Sequence, residues 1–257
     1  MKQNLTKKQL RNNILKDLKK VSSRERAVNS SRFFKTGKGE YGEGDLFIGI
    51  RTPEIRKISK KYLGDLKLGD LDFFLHNKIH EYRLFALITL TYMYHRTGKI
   101  KDCSKRKEQR EKIYKYYLEN KRWINNWDLV DISAPKIVGA FLQKEGADRE
   151  GRKDRSILYE LVERNNLWEQ RIAIVSTYTF IRQGDFKEIL EFSKRLITHE
   201  HDLIHKALGW MLREVGKKDE AVLKTFLEDY ANKIPRTMLR YSIERLNEKE
   251  RQKYLSM

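Results

Sequence analysis

"EYRLFALITL", from Glu81 to Leu90, decides the fold: its apolar residues recur at helical spacing, not at the alternation of a strand. Followed on to Arg96, the stretch places Leu84, Leu87, Ile88 and Thr91 on one face. "RIAIVSTYTF" does the same with Ile172, Val175 and Thr179. Alternating runs flanked by tight hairpin turns are scarce. Only Pro53, Pro135 and Pro235 interrupt the chain, and the whole of it reads as all-α.

Four stretches align with the first: "NNWDLVDISA", "EQRIAIVSTY", "IHKALGWMLR" and "TMLRYSIERL". Registered on Arg83, Trp127, Arg171, Lys206 and Arg240, they stand about 44, 44, 35 and 34 positions apart. That spacing suits two- or three-helix repeats of the HEAT or armadillo kind, although no consensus is shared. "DFKEILEFSKRLI" and "DEAVLKTFLEDYANKI" read as partner helices. The expectation is a right-handed α-solenoid of HEAT-like repeats whose equivalent positions line one surface. Arg83, Arg171, Lys206 and Arg240 would form a basic stripe there; the plainer alternative is ordinary exposed cations at helix starts. "GADREGRKDRS" from Gly146 reads as a loop, too short to divide domains. One domain over 1–257 is expected, with 1–24 as a basic helical extension that packs on the solenoid end or touches DNA.

Charge points to the partner. Among 257 residues, 55 Lys+Arg face 36 Asp+Glu, a formal charge of +19. Such an excess repels itself unless a polyanion accepts it, and a concave positive groove suits the phosphates of a DNA duplex. A merely soluble, lysine-rich surface is the alternative. Cys103 is the only cysteine, which excludes an intramolecular disulfide and a thiolate metal cage. Neither a signal-peptide core nor an apolar run of membrane-spanning length is present, so a cytoplasmic protein is expected, nucleoid-associated if bacterial, and nothing suggests more than a monomer.

"NNWDLVDISAP", Asn125 to Pro135, places carboxylates beside an indole in this basic chain. Trp127 and Asp131 are four apart and share a helix face. Asn125 or Asn126 serves as N-cap, and Asp128 suits the N-terminal end of the dipole. Pro135 has no N–H for the carbonyl of Asp131, so the helix should kink or end there. Spacing alone favours Trp127 as core with Asp131 paired to an arginine.

"FFKTGKGEYGEGDLFIGIRTPEIRKISKKY" (Phe33 to Tyr62) resembles the signature of the AlkD family of DNA alkylation-repair glycosylases. "NNWDLVDISAPKIVG", "LWEQRIAIVST", "KALGWMLREVGK" and "PRTMLRYSIERL" are similar to its later motifs, in the same order, and the likeness covers residues 25 to 255. It implies HEAT-like repeats and removal of purines alkylated at N3 or N7, with no cofactor. It also implies that the lesion is met through the backbone on an open surface. Carried over by position, the resemblance makes Asp131 the catalytic aspartate. Trp127 and Trp210 become the DNA-facing tryptophans, and Arg171 the arginine near the lesion. The stretch around "QKEGADREGRKDR" is a few residues longer than the family pattern.

Chemistry suits these roles. A cationic purine is a good leaving group, and a fixed carboxylate stabilises the charge that develops on the sugar. Indole faces attract such cations. Arg171 would clamp a phosphate; an ion pair with Glu169 is the alternative. "HEHDLIH" offers His199, His201 and His205 without a further ligand and reads as a solvated turn, not a metal site. "GKGEYGEGD" lacks the ending of a P-loop and precedes "RTPEIRK". There Thr52 is expected to cap a helix with Pro53 in its first turn, and with Arg51 to hold a phosphate. The expected function is a monofunctional DNA glycosylase acting on duplex DNA with alkylated purines. Its rival is a non-catalytic helical-repeat module that binds nucleic acid or an acidic protein.

Overall fold

In the computed structural model, which describes residues 6–145 and 154–257, the first helix opens on a capping box. Thr6 Oγ1 accepts the N–H of Gln9, and Gln9 Oε1 accepts that of Thr6. Helix α1 (Lys7–Lys20) buries Leu10, Ile14 and Leu18 at fourfold spacing and packs on α3 (Thr52–Tyr62). The basic N-terminal helix is therefore amphipathic and docked. Between them lies α2 (Arg24–Phe33), capped by Ser23.

The helices fall into two compact units, residues 1–133 and 134–257. In the first, α4 (Asp72–Leu75), α5 (His80–Arg96) and α6 (Cys103–Glu119) complete the core, and α7 (Trp127–Ala134) reaches the boundary. Helix α5 is its centre. Leu84 to Thr91 are all buried, a wider burial than the single face expected from the sequence, because α3, α4 and α6 all pack on it. The loop of residues 34–51 has no helix of its own and makes one isolated parallel bridge, Leu46 to Ile79. Glu81 ties it down: the carboxylate accepts the N–H groups of Ile48, Gly49 and Ile50, at 2.7 Å from Gly49. Gly49 sits at φ +73°, and a Cβ there would lie 2.1 Å from the Ser23 carbonyl, so only glycine fits.

The second unit begins where Pro135 interrupts the helical ladder. Residues Pro135–Gly139 form a wide π-helical turn, then α8 (Ala140–Lys144) follows, in keeping with the expected break. Helices α9 (Ser156–Glu163), α10 (Leu167–Ser176), α11 (Tyr178–Ile181) and α12 (Lys187–Arg195) come next. They are followed by α13 (Asp202–Lys218), α14 (Glu220–Tyr230), α15 (Arg236–Ser242) and α16 (Glu248–Leu255). Helix α13 packs on α10, α12, α14 and α15. Gly209 permits its approach to α15, since a Cβ there would meet the Met238 carbonyl and Tyr241 Cβ at 2.6 Å. A buried ion cluster joins α9 to α12: Arg155 reaches Glu188 at 2.5 Å and Asp185 at 2.7 Å. Its guanidinium also lies 3.7 Å from the centre of the Phe180 ring.

The five aligned stretches lie in or extend just past α5, α7, α10, α13 and α15, and the partner stretches form α12 and α14. The molecule is thus all-α with a helical-repeat fold. One run divides: α10 ends at Ser176 and α11 begins at Tyr178, so Thr179 belongs to a separate turn and donates to the Pro135 carbonyl at 2.7 Å. The loop expected from Gly146 lies largely outside the described residues. Among the described residues, no helix is long and apolar enough to cross a membrane.

Candidate functional site

Helix α7 starts on Asn126. The backbone carbonyl of Asn126 accepts the first helical bond from Val130 at 3.1 Å, and its side-chain oxygen accepts the Trp127 N–H at 2.9 Å. Its amide nitrogen donates to Asp45 Oδ2 at 3.2 Å. Trp127 is half-buried against a tier of rings. It stacks on Phe34 at 5.3 Å and 16° and meets Phe33 edge-on at 5.9 Å. Phe34 stacks on Phe47 at 5.0 Å, and Phe47 stacks on His80 at 4.6 Å. The indole is therefore neither free nor lost in the core.

Beneath the tier sits a buried charge network. His80 Nε2 lies 2.8 Å from Asp128 Oδ2, and His80 Nδ1 lies 3.1 Å from Asp45 Oδ2. Arg83 Nη2 donates to Asp45 Oδ1 at 2.6 Å and Nη1 to the Asn77 carbonyl. With a carboxylate at each ring nitrogen, the imidazole donates from both and is a cation. Burial opposes that charge, but Asp128 and then Asp45 outweigh it, raising the His80 pKa to about 9. Burial likewise opposes the Asp45 carboxylate, and His80 and Arg83 overcome it and hold its pKa below the usual range.

Asp131 follows Trp127 by one turn of α7 and is half-buried. Behind it, the buried Tyr117 hydroxyl shares a hydrogen bond with Ser133 at 3.1 Å. Burial pushes the Tyr117 phenol up, and the Asp131 carboxylate adds to that. A carboxylate and an indole face fixed one turn apart on a buttressed helix suit a cationic group held against both.

The other expected residues divide. Arg83 is 2% exposed and committed to Asp45, so it stabilises the interior and does not belong to an outward stripe. Arg171 is 4% exposed and donates to the Leu203 carbonyl at 2.6 Å. Two of the four stripe positions thus turn inward, because each guanidinium meets an acceptor more than thirty residues away in sequence. Lys206 is half-buried and pairs with Asp202 at 2.7 Å, while Arg240 is exposed. Trp210 is half-buried with Tyr178 at 6.3 Å. Arg51 is exposed and is itself the N-cap of α3; Thr52 begins the helix and makes no cap hydrogen bond, a shift of one position from the expectation. His201 caps α13 by accepting the Leu203 N–H, His199 meets Gln170 at 3.0 Å, and His205 meets the His199 carbonyl. Among the described residues, no group of three or more His, Cys, Asp or Glu is placed to hold a metal. Cys103 is exposed at the start of α6.

His80, Asp45 and Phe34 were not singled out from the sequence, and Asn126 was expected only as an N-cap. The aromatic pair at 33–34, ahead of a glycine-rich loop, was the one local signal for part of this cluster.

A family model described as DNA alkylation repair enzyme matches residues 14–246. Two solved structures share the fold. "Predicted DNA alkylation repair enzyme from Enterococcus faecalis" is 18% identical, with 88% of this chain and 97% of that one covered, at a TM-score of 0.63. AlkD2 from Streptococcus mutans is 17% identical, with 94% and 100% covered, at 0.53. No curated protein matches. Residues 14–246 span most of the 257, and the chain belongs to the DNA alkylation repair enzyme family.

Proposed function

We propose that this protein is a monofunctional DNA glycosylase that hydrolyses the N-glycosidic bond of N3- or N7-alkylated purines in duplex DNA. The observation that carries the reading is the pairing on α7: Asp131 one turn after Trp127, with the indole clamped by Phe34 and the helix start fixed by Asn126. In this reading Trp127 lays its face on the cationic nucleotide, Trp210 is a further DNA-facing indole, and Asp131 stabilises the charge that moves to the deoxyribose as the bond breaks. The attacking water is oriented by the same carboxylate. Arg240, Lys206 and Arg51 contact phosphates, with Thr52 offering its N–H at the start of α3. The buried Arg171, which the resemblance puts near the lesion, holds α13 through the Leu203 carbonyl. No cofactor is required.

Incubating methylated duplex DNA with the wild type should release methylpurine. Asp131→Asn should release it about 100-fold more slowly while binding the duplex as before. Equal release by both would remove Asp131 from the reaction, and no release by the wild type would favour a non-catalytic DNA-binding module.

A further inference from the structure

Beside the start of α7 lies an open cleft of about 410 Å³ under Phe34 and Phe47, and a second of about 400 Å³ faces residues 122–125. The second is chemically unfinished. Trp123, Arg83 and Asn125 line it; Trp123 Nε1 and Arg83 Nε are buried donors, and Asn125 Oδ1 is a buried acceptor. None of the three has a hydrogen-bond partner among the described residues. Three around one cleft mark a place where a polar ligand is missing.

The sign of that ligand follows from the charges. Lys78 and Arg122 line the same cleft, are exposed, and pair with no carboxylate among the described residues. Arg122 rests 5.3 Å over the Trp123 ring, whose other neighbour is the stacked His76 imidazole at 5.3 Å. Two acids also line the cleft, against the three cations Lys78, Arg83 and Arg122. Asp45 is held by Arg83, His80 and Asn126, and Glu43 Oε2 accepts the Gly39 N–H at 2.8 Å. The net charge of the lining is therefore positive, and the hydrogen-bonding groups without a partner among the described residues are mostly donors. A tetrahedral oxyanion fits both.

We infer that Lys78, Arg122 and the Trp123 indole N–H form a phosphate-binding subsite for one phosphodiester of a DNA strand. The inference rests on the proposed DNA substrate and adds a contact at which the strand is gripped. Asn125 separates this cleft from Asn126, the residue that fixes the start of α7 and Trp127. A phosphate seated here registers the strand against Trp127 and Asp131. The subsite also supplies, from exposed cations, the contact that the buried Arg83 does not make.

The experiment measures binding, not excision, so the inference and the catalytic reading fail separately. Unmodified duplex DNA is titrated across a range of salt with the wild type, Lys78→Gln/Arg122→Gln, and Trp123→Phe. A control, Lys112→Gln/Lys115→Gln, removes the same charge from surface pairs with Glu108 and Glu111. Loss of one phosphate contact should flatten the plot of log K against log salt by about 0.9 in the Lys78/Arg122 variant. Trp123→Phe should weaken binding about 10-fold, since a hydrogen bond to a charged group is lost. The control should match the wild type, and all four proteins should melt alike. An unchanged slope in the Lys78/Arg122 variant overturns the inference even if the wild type excises methylpurine. Competition by inorganic phosphate without any change in the duplex slope overturns it as well, leaving a site for a free ion.

Discussion

At the scale of single residues, the decisive group is His80, a buried cation between two carboxylates. Its folded pKa of about 9 stands above the ordinary value of 6.5. The stability it contributes is complete below pH about 6.5 and drains away as pH climbs through about 9. Asp45 acts in the opposite sense, its contribution being lost only as pH falls below the usual carboxylate range. Denaturant titration from pH 7 to 10 should show wild-type stability falling across that window. His80→Gln should be about 3 kcal/mol less stable at pH 7, because Asp128 and Asp45 lose the cation between them, and should lack the fall. An identical fall in the variant would assign it to another group. None of this network was legible in a sequence window. His80 and Asp128 are 48 positions apart, and Arg83 and Asp45 are 38 apart, so Arg83 looked like any outward cation at a helix start. The Trp127–Asp131 pair was legible because its spacing is local.

At the scale of elements, amphipathic helices announced themselves and irregular ones did not. Helices α12 and α14 form within the stretches read as partners, since their apolar stripes are set by nearest-turn spacing. The split between α10 and α11 was hidden, because Ile172, Val175 and Thr179 keep helical spacing across the break at Thr177. The Thr52 cap was misplaced by one residue, because Arg51 takes the extended N-cap geometry without any side-chain bond. Helices α9 and α12 depend on a contact between distant residues, the buried Arg155–Glu188 pair. Glu188→Ala should cost about 3–5 kcal/mol by leaving Arg155 charged and partly unpaired, read as a lower melting temperature. Arg155→Met/Glu188→Leu should recover much of that loss. A double variant as unstable as the single one would mean that packing at these positions matters more than charge.

At the scale of the whole molecule, the formal charge of +19 gives the chain a field that a polyanion satisfies. The composition made that legible, but the repeat register misassigned where the charge lies: Arg83 and Arg171 are interior, and Lys78, Arg122, Arg51 and Arg240 are exposed. Duplex binding by the wild type should weaken steeply with salt, about 10-fold or more between 50 and 200 mM, and a salt-independent affinity would contradict an electrostatic grip. The central claim concerns one of two neighbouring carboxylates on α7: Asp131 acts on the lesion, while Asp128 holds the scaffold through His80. Single-turnover release of methylpurine from alkylated duplex DNA, by the wild type, Asp131→Asn and Asp128→Asn at a temperature where all three are folded, separates them. Release slowed about 100-fold in Asp131→Asn, with Asp128→Asn within about 10-fold of the wild type, is the predicted result. Undiminished release by Asp131→Asn, or its abolition by Asp128→Asn alone, would contradict it.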